Sequence, residues 1–135
     1  MKKIFLLLMI IPFIGFGQGR CVSGDCEDGY GTYIFTSGIS KGDIYVGENK
    51  NGEFHGQGTY TWGPEGEWSG SYFVGEYKNG VRDGYGVYTV SNGDQFIGEY
   101  KNDAMNGIGV VKFSDGSGFI SYFSNDEPTE MICEF

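Results

Sequence analysis

Apolar and polar residues alternate with a period of two through most of this chain. In Phe73-Val74-Gly75-Glu76-Tyr77-Lys78 the odd positions hold Phe, Gly and Tyr, and the even ones hold Val, Glu and Lys. In Gly56-Gln57-Gly58-Thr59-Tyr60-Thr61-Trp62 the rings and glycines take the even positions, and Gln and Thr take the odd ones. This alternation predicts β-strands with aromatics and glycines on one face and mainly polar groups on the other. Beyond the first apolar stretch no segment carries a helical stripe.

The strands recur in register. Paired glycines begin at Gly29, Gly56, Gly84 and Gly107, at spacings of 27, 28 and 23 residues. The last spacing marks the compact unit. The longer ones carry insertions at one place, Ser37 to Asp43 in the first copy and Pro64 to Ser71 in the second, which places loop elaborations on one edge of a repeat array. Asn51-Gly52 and Asn79-Gly80 follow a lysine at a strand end and suit type I′ hairpin turns, whose central residues both need positive φ. Asn92-Gly93 and Asp115-Gly116 supply reversals at the other end of their units. The predicted fold is all-β, an elongated single-layer antiparallel meander of hairpins over residues 29–123. It is flanked by a cap over 18–28 and a second over 124–135, where Ser124 to Thr129 reads as a loop and Glu130 to Phe135 as a short closing strand.

Glycine normally weakens a strand. Here Gly47, Gly56, Gly58, Gly75, Gly84, Gly86, Gly98, Gly107 and Gly109 recur on the ring-bearing face and read as structural: a ring on a neighbouring strand covers the bare backbone. The rings of that face are Tyr33, Phe35, Tyr45, Tyr60, Trp62, Phe73, Tyr77, Tyr88, Phe96 and Tyr100. They serve this packing, and the same residues are the candidate binding face.

The first 17 residues stand apart. Met1-Lys2-Lys3 is basic, Ile4 to Phe16 is almost wholly apolar, and Gly15 and Gly17 stand two apart, as a signal peptidase site prefers. The apolar run is shorter than the roughly 18 residues a membrane span needs, which favours a cleaved signal peptide over an anchor. Export to the periplasm, the envelope or the medium follows as an expectation. Lys2 and Lys3 leave with that segment, so seven of nine basic residues remain against eighteen acidic ones, a formal net charge of −11. That balance disfavours nucleic-acid phosphate and anionic lipid as partners. Of the cysteines, Cys21 and Cys26 lie five apart across a polar, glycine-containing loop and form the favoured disulfide. The rival pairs join Cys133 to either of them and require the two ends of the array to meet.

The pattern resembles the MORN (membrane occupation and recognition nexus) repeat. The resemblance rests on Tyr45-Val46-Gly47, Phe73-Val74-Gly75-Glu76-Tyr77 and Phe96-Ile97-Gly98-Glu99-Tyr100. It rests equally on the Gly-x-Gly halves at Gly29-Tyr30-Gly31-Thr32-Tyr33, Gly56-Gln57-Gly58-Thr59-Tyr60, Gly84-Tyr85-Gly86-Val87-Tyr88 and Gly107-Ile108-Gly109. Asn49, Val111 and Ser121 depart from it. The resemblance covers roughly residues 24–123 and implies an elongated single-layer sheet, with roles in scaffolding, dimerisation or contact with lipid.

Candidate chemistry is sparse. A phosphate loop needs a helix after its glycines, whereas strand residues follow Gly84-x-Gly86. His55 is the sole histidine and has no second ligand or nucleophile at a recognisable spacing. Glu76 and Glu99 read as a charged strand face paired with Lys78 and Lys101. Three cysteines and one distant histidine lack the ligand spacing of a zinc module. The sequence therefore predicts no catalytic or metal residues and no cofactor, and makes a small-molecule substrate unfavoured. It predicts an interaction module for a protein partner or its own copy, with a membrane-surface binder using the aromatic face as the alternative.

Overall fold

The structure, a computed structural model, describes residues 19–135. The signal segment read at residues 1–17 lies outside the described residues. Ten strands follow one another: β1 (Gly19–Gly24), β2 (Tyr30–Phe35), β3 (Ile44–Lys50), β4 (Glu53–Thr61) and β5 (Tyr72–Lys78), then β6 (Val81–Thr89), β7 (Gln95–Lys101), β8 (Ala104–Lys112), β9 (Gly118–Ser124) and β10 (Glu127–Glu134). They form one sheet in which spatial order equals chain order, and every pair is antiparallel. The inserted segment after β2 contains a short 3-10 turn, Gly38–Ser40.

Tight turns close one end of the sheet. Asn51-Gly52 and Asn79-Gly80 take positive φ at both positions, and so do Asn102-Asp103 and Asn125-Asp126. Aspartate tolerates this conformation next best after glycine and asparagine, so the last two turns keep the geometry without glycine. The region read as a loop from Ser124 to Thr129 is therefore a two-residue reversal, and the closing strand starts at Glu127, three residues earlier than the sequence implies. The turns are also tied to one another. The second turn residue donates its amide to the start of the preceding hairpin's second strand: Gly80 to the Phe54 carbonyl and Asp103 to that of Arg82, each at 2.9 Å, and Asp126 to that of Met105 at 3.1 Å.

One glycine row crosses the sheet. Gly31, Gly47, Gly58, Gly75, Gly86, Gly98 and Gly109 are consecutive cross-strand partners, and Ser121 ends the row. Rings lie in the space these glycines leave. A Cβ on Gly58 would stand 2.4 Å from the Tyr45 ring, and one on Gly86 would stand 2.2 Å from Phe73 Cζ. Over Gly109 the cover is Met105 and Phe123. The core is thus one-sided: Phe35, Tyr45, Phe54, Tyr60, Phe73, Tyr77, Tyr100, Met105, Val111 and Phe123 bury one another against glycine backbone.

The first glycine of the last three Gly-x-Gly pairs has a different task. Pairing slips between Gly47 and Asn49, between Gly75 and Tyr77, and between Gly98 and Tyr100. The extra residues bulge from the partner strand at Gly56, Gly84 and Gly107, all at positive φ, which only glycine adopts without strain. Two departures from the repeat find their reason here. Asn49 stands in a ring position and donates its amide to the Gly29 and Gly47 carbonyls at 3.2 and 3.1 Å. Ser121 donates its hydroxyl to the Glu130 carbonyl at 2.8 Å, tying β9 to β10.

The two insertions lie side by side. Asp43 accepts the Tyr60 hydroxyl at 2.5 Å and the Gly63 amide at 2.7 Å, and Lys41 approaches Glu65 at 3.7 Å. A disulfide joins Cys21 of β1 to Cys26 in the turn that follows, and Cys133 on β10 is free and exposed.

Candidate interaction surfaces

The ring-bearing face is mostly filled by itself. Of its ten candidate residues, Phe35, Tyr45, Tyr60, Phe73, Tyr77 and Tyr100 are buried, with Tyr45 and Phe73 fully enclosed. Tyr33, Trp62, Tyr88 and Phe96 are half-buried against them. Tyr45 stacks on Phe54 at 3.7 Å, while Phe73 meets Tyr100 edge-on at 4.9 Å and Trp62 meets Tyr88 edge-on at 5.3 Å. Burial pushes the Tyr45, Tyr60, Tyr77 and Tyr100 hydroxyls well above the usual phenol range, so the face carries no phenolate charge. A small recess in this core, bounded by Tyr60, Trp62, Tyr77, Arg82 and Asp103, holds about 10 Å³, room for about one water.

Within this core sits an ion pair that the sequence reading missed. Arg82 Nε lies 3.3 Å from Asp103 Oδ1, and the two side chains are 9% and 7% exposed. The Arg82 amide also donates to Asp103 Oδ1 at 2.8 Å, and its guanidinium to the Asp103 carbonyl at 2.6 Å. The guanidinium carbon stands 5.3 Å from the Phe73 ring centre and 5.1 Å from that of Tyr100, within cation–π reach of both. Burial pushes the Asp103 carboxyl above the usual aspartate range, against the opposing pull of Arg82. Asp103 Oδ2 is buried without a partner. The equivalent turn contacts elsewhere join Phe54 to Gly80 and Met105 to Asp126, so no recurrence along the repeats flags the pair.

The repeated glutamates also differ from their expected role. Among the described residues the ion pairs are Lys41–Glu65 and Arg82–Asp103, so Glu76 and Glu99 are not paired with Lys78 and Lys101. Instead Glu76 accepts the Tyr85 amide at 2.5 Å, and Glu48 accepts the Gln57 amide at 2.5 Å. Both amides belong to the bulged strands, where the slipped ladder supplies no carbonyl. The acid therefore closes the bulge that the first glycine opens. Glu76→Ala is expected to cost about 1 kcal/mol, the net worth of an ordinary hydrogen bond, whereas Glu76→Gln, which keeps the acceptor, costs less than half as much. Thermal melts of the three chains check this order, and equal losses for Ala and Gln contradict it.

The opposite face is open. Its middle row runs Thr32, Val46, Thr59, Val74, Val87, Ile97, Val110 and Ile120 as successive cross-strand partners from β2 to β9. Beside it, toward the tight turns, Tyr30, Glu48, Gln57, Glu76, Tyr85, Glu99, Ile108 and Tyr122 form a second row. Large apolar side chains are strongly exposed here, with Tyr85 at 69%, Tyr30 at 65%, Ile108 at 53% and Val74 at 45%. The alternation that reads as a mainly polar face thus carries a continuous β-branched stripe. Among the described residues no group of three His, Cys, Asp or Glu side chains is arranged to hold a metal ion.

A repeated hairpin with one self-filled face and one open face defines a β-repeat scaffold. A family model for the MORN repeat matches residues 27–40, 45–64, 73–95 and 96–118, more than half of the chain. The chain belongs to the MORN repeat family. A comparison with curated proteins finds no match.

Proposed function

We propose that this protein is an exported, non-enzymatic scaffold that binds a protein partner, or a further copy of itself, at the cell envelope. Membership of the MORN repeat family makes it a repeat-based interaction module, and that family is generally non-enzymatic. The observation that carries the reading is the open sheet face, where Tyr30, Tyr72, Val74, Tyr85, Ile108 and Tyr122 stand more than a third exposed. A sheet ordinarily buries such residues against a second layer. The basic and apolar character of residues 1–17 supports export. Capture from envelope fractions with the full chain, compared with Tyr85→Ser/Ile108→Ser, tests it. Both substituted side chains are more than half exposed, so the fold is expected to persist and the partner to be lost. Absence of any partner, together with flotation of the chain on zwitterionic liposomes, overturns this reading in favour of a membrane-surface module.

A further inference from the structure

The open face carries more than apolar area. Glu48, Glu76 and Glu99 lie on β3, β5 and β7, every second strand, on the same side of the β-branched stripe. Neighbouring strands stand about 4.8 Å apart, so successive glutamates recur at about 9.6 Å along the sheet. An α-helix laid across the strands rises about 10.5 Å in seven residues, returning to nearly the same side after two turns. The two periods agree to about 1 Å.

We propose that this face docks an amphipathic helix of a partner protein, whose apolar side lies on the Val74, Val87 and Ile97 stripe and whose Lys or Arg residues, seven apart, meet consecutive glutamates. The inference rests on the interaction-module reading and adds the partner's chemistry to it. Charge selects the occupant. Residues 19–135 carry eighteen acidic and seven basic side chains, so a second copy brings like charge to this surface and a basic segment brings opposite charge. Tyr85 stands between Glu76 and Glu99 at 69% exposure, which adds a ring face to the carboxylates for an incoming cation. A helix also satisfies its own backbone, which an extended segment crossing apolar side chains does not. The right-handed twist of sheets turns successive strands by about 20°. A straight helix therefore spans one glutamate interval, and about 14 residues suffice. Lys78 and Lys101 continue the same strands toward the turns and bound the surface on that side.

The test uses the full chain and two synthetic helical peptides of equal composition, one with lysines seven apart on its polar edge and one with them five apart, which places them on different sides. Fluorescence anisotropy is expected to give at least about tenfold tighter binding for the seven-residue spacing, weakening with added salt. Glu76→Gln/Glu99→Gln, which keeps an acceptor for the Tyr85 amide at position 76 and removes both charges, is expected to abolish that preference, and Val74→Ser/Val87→Ser to lower affinity about tenfold for both peptides. Far-ultraviolet circular dichroism confirms that each variant is folded. Equal affinity for the two spacings, or an unchanged preference in the glutamine variant, overturns the proposal. So does a salt-insensitive dimer of the chain that excludes both peptides, since a second copy then occupies the face. Failure of the peptides while the chain still captures an envelope partner defeats this inference alone, whereas failure of both defeats the broader reading.

Discussion

Gly75→Ala is expected to lower stability by about 3 kcal/mol or more, at or beyond the upper end of what over-packing costs, and Gly75→Val by more still. The added Cβ would stand 2.6 Å from Gly86 Cα and 2.6 Å from the Tyr85 carbonyl oxygen, distances that carbon contacts do not reach. Both atoms are backbone of the adjacent strand, so relief requires β5 and β6 to part. The third neighbour, Phe73 Cζ at 2.8 Å, belongs to a fully enclosed ring with nowhere to retreat. Gly98 faces looser surroundings, with Gly109 Cα at 3.0 Å and the end of the flexible Met105 side chain at 3.4 Å, so Gly98→Ala falls between Gly75→Ala and the controls. Gly66→Ala meets only the Trp68 nitrogen at 3.9 Å, and it and Lys78→Ala are expected within about 0.5 kcal/mol of the parent. Differential scanning calorimetry reads the order directly, with Gly75→Ala lower by roughly 10 °C. Equal melting temperatures for Gly75→Ala and Gly66→Ala contradict the packing of rings on glycine.

Arg82→Phe is expected to cost about 3–5 kcal/mol when made alone, because it leaves the Asp103 carboxylate buried without its counter-charge. Arg82→Phe/Asp103→Gly is expected to regain most of that loss. The double variant reproduces an arrangement the molecule already contains: Phe54 occupies the equivalent strand position and stacks on Tyr45, and Gly80 occupies the equivalent turn position at positive φ. A phenyl ring at 82 enters the space between Phe73 and Tyr100 now held by the guanidinium. A double-mutant cycle in urea measures the coupling, expected to exceed about 2 kcal/mol. Additive losses contradict the account, since they mean that neither charge depends on the other. Together the two sets of variants separate the generic device of the repeat from the device peculiar to one hairpin.

Period-two alternation, Asn-Gly turns and the recurring Gly-x-Gly pairs carried the meander, its turn end and its ring-bearing face into view before any coordinates. What stayed hidden has one physical character: it depends on register. The slip between Gly75 and Tyr77 decides that Gly84 is needed for its φ and Gly86 for its missing Cβ, although both read alike in sequence. The same slip frees the Tyr85 amide for Glu76, which local charge patterning pairs with Lys78 instead. Arg82 and Asp103 lie 21 residues apart and recur nowhere else, so repetition is silent about them. At the candidate surface, the rings stand out by size, and six of the ten turn out to be occupied with one another. Val74, Val87 and Ile97 draw little notice singly, and only strand pairing lines them up.

Because sheet order equals chain order, every strand after β1 finds a neighbour among residues already made. A chain that emerges N-terminus first, from a ribosome or through a translocation pore, completes each hairpin against a finished edge and offers a new edge to the next. Loop closure stays short at every step, which removes the slow search that non-local β pairing normally imposes. Assembly of this sheet is then a polymerisation in which the monomer units happen to be covalently joined.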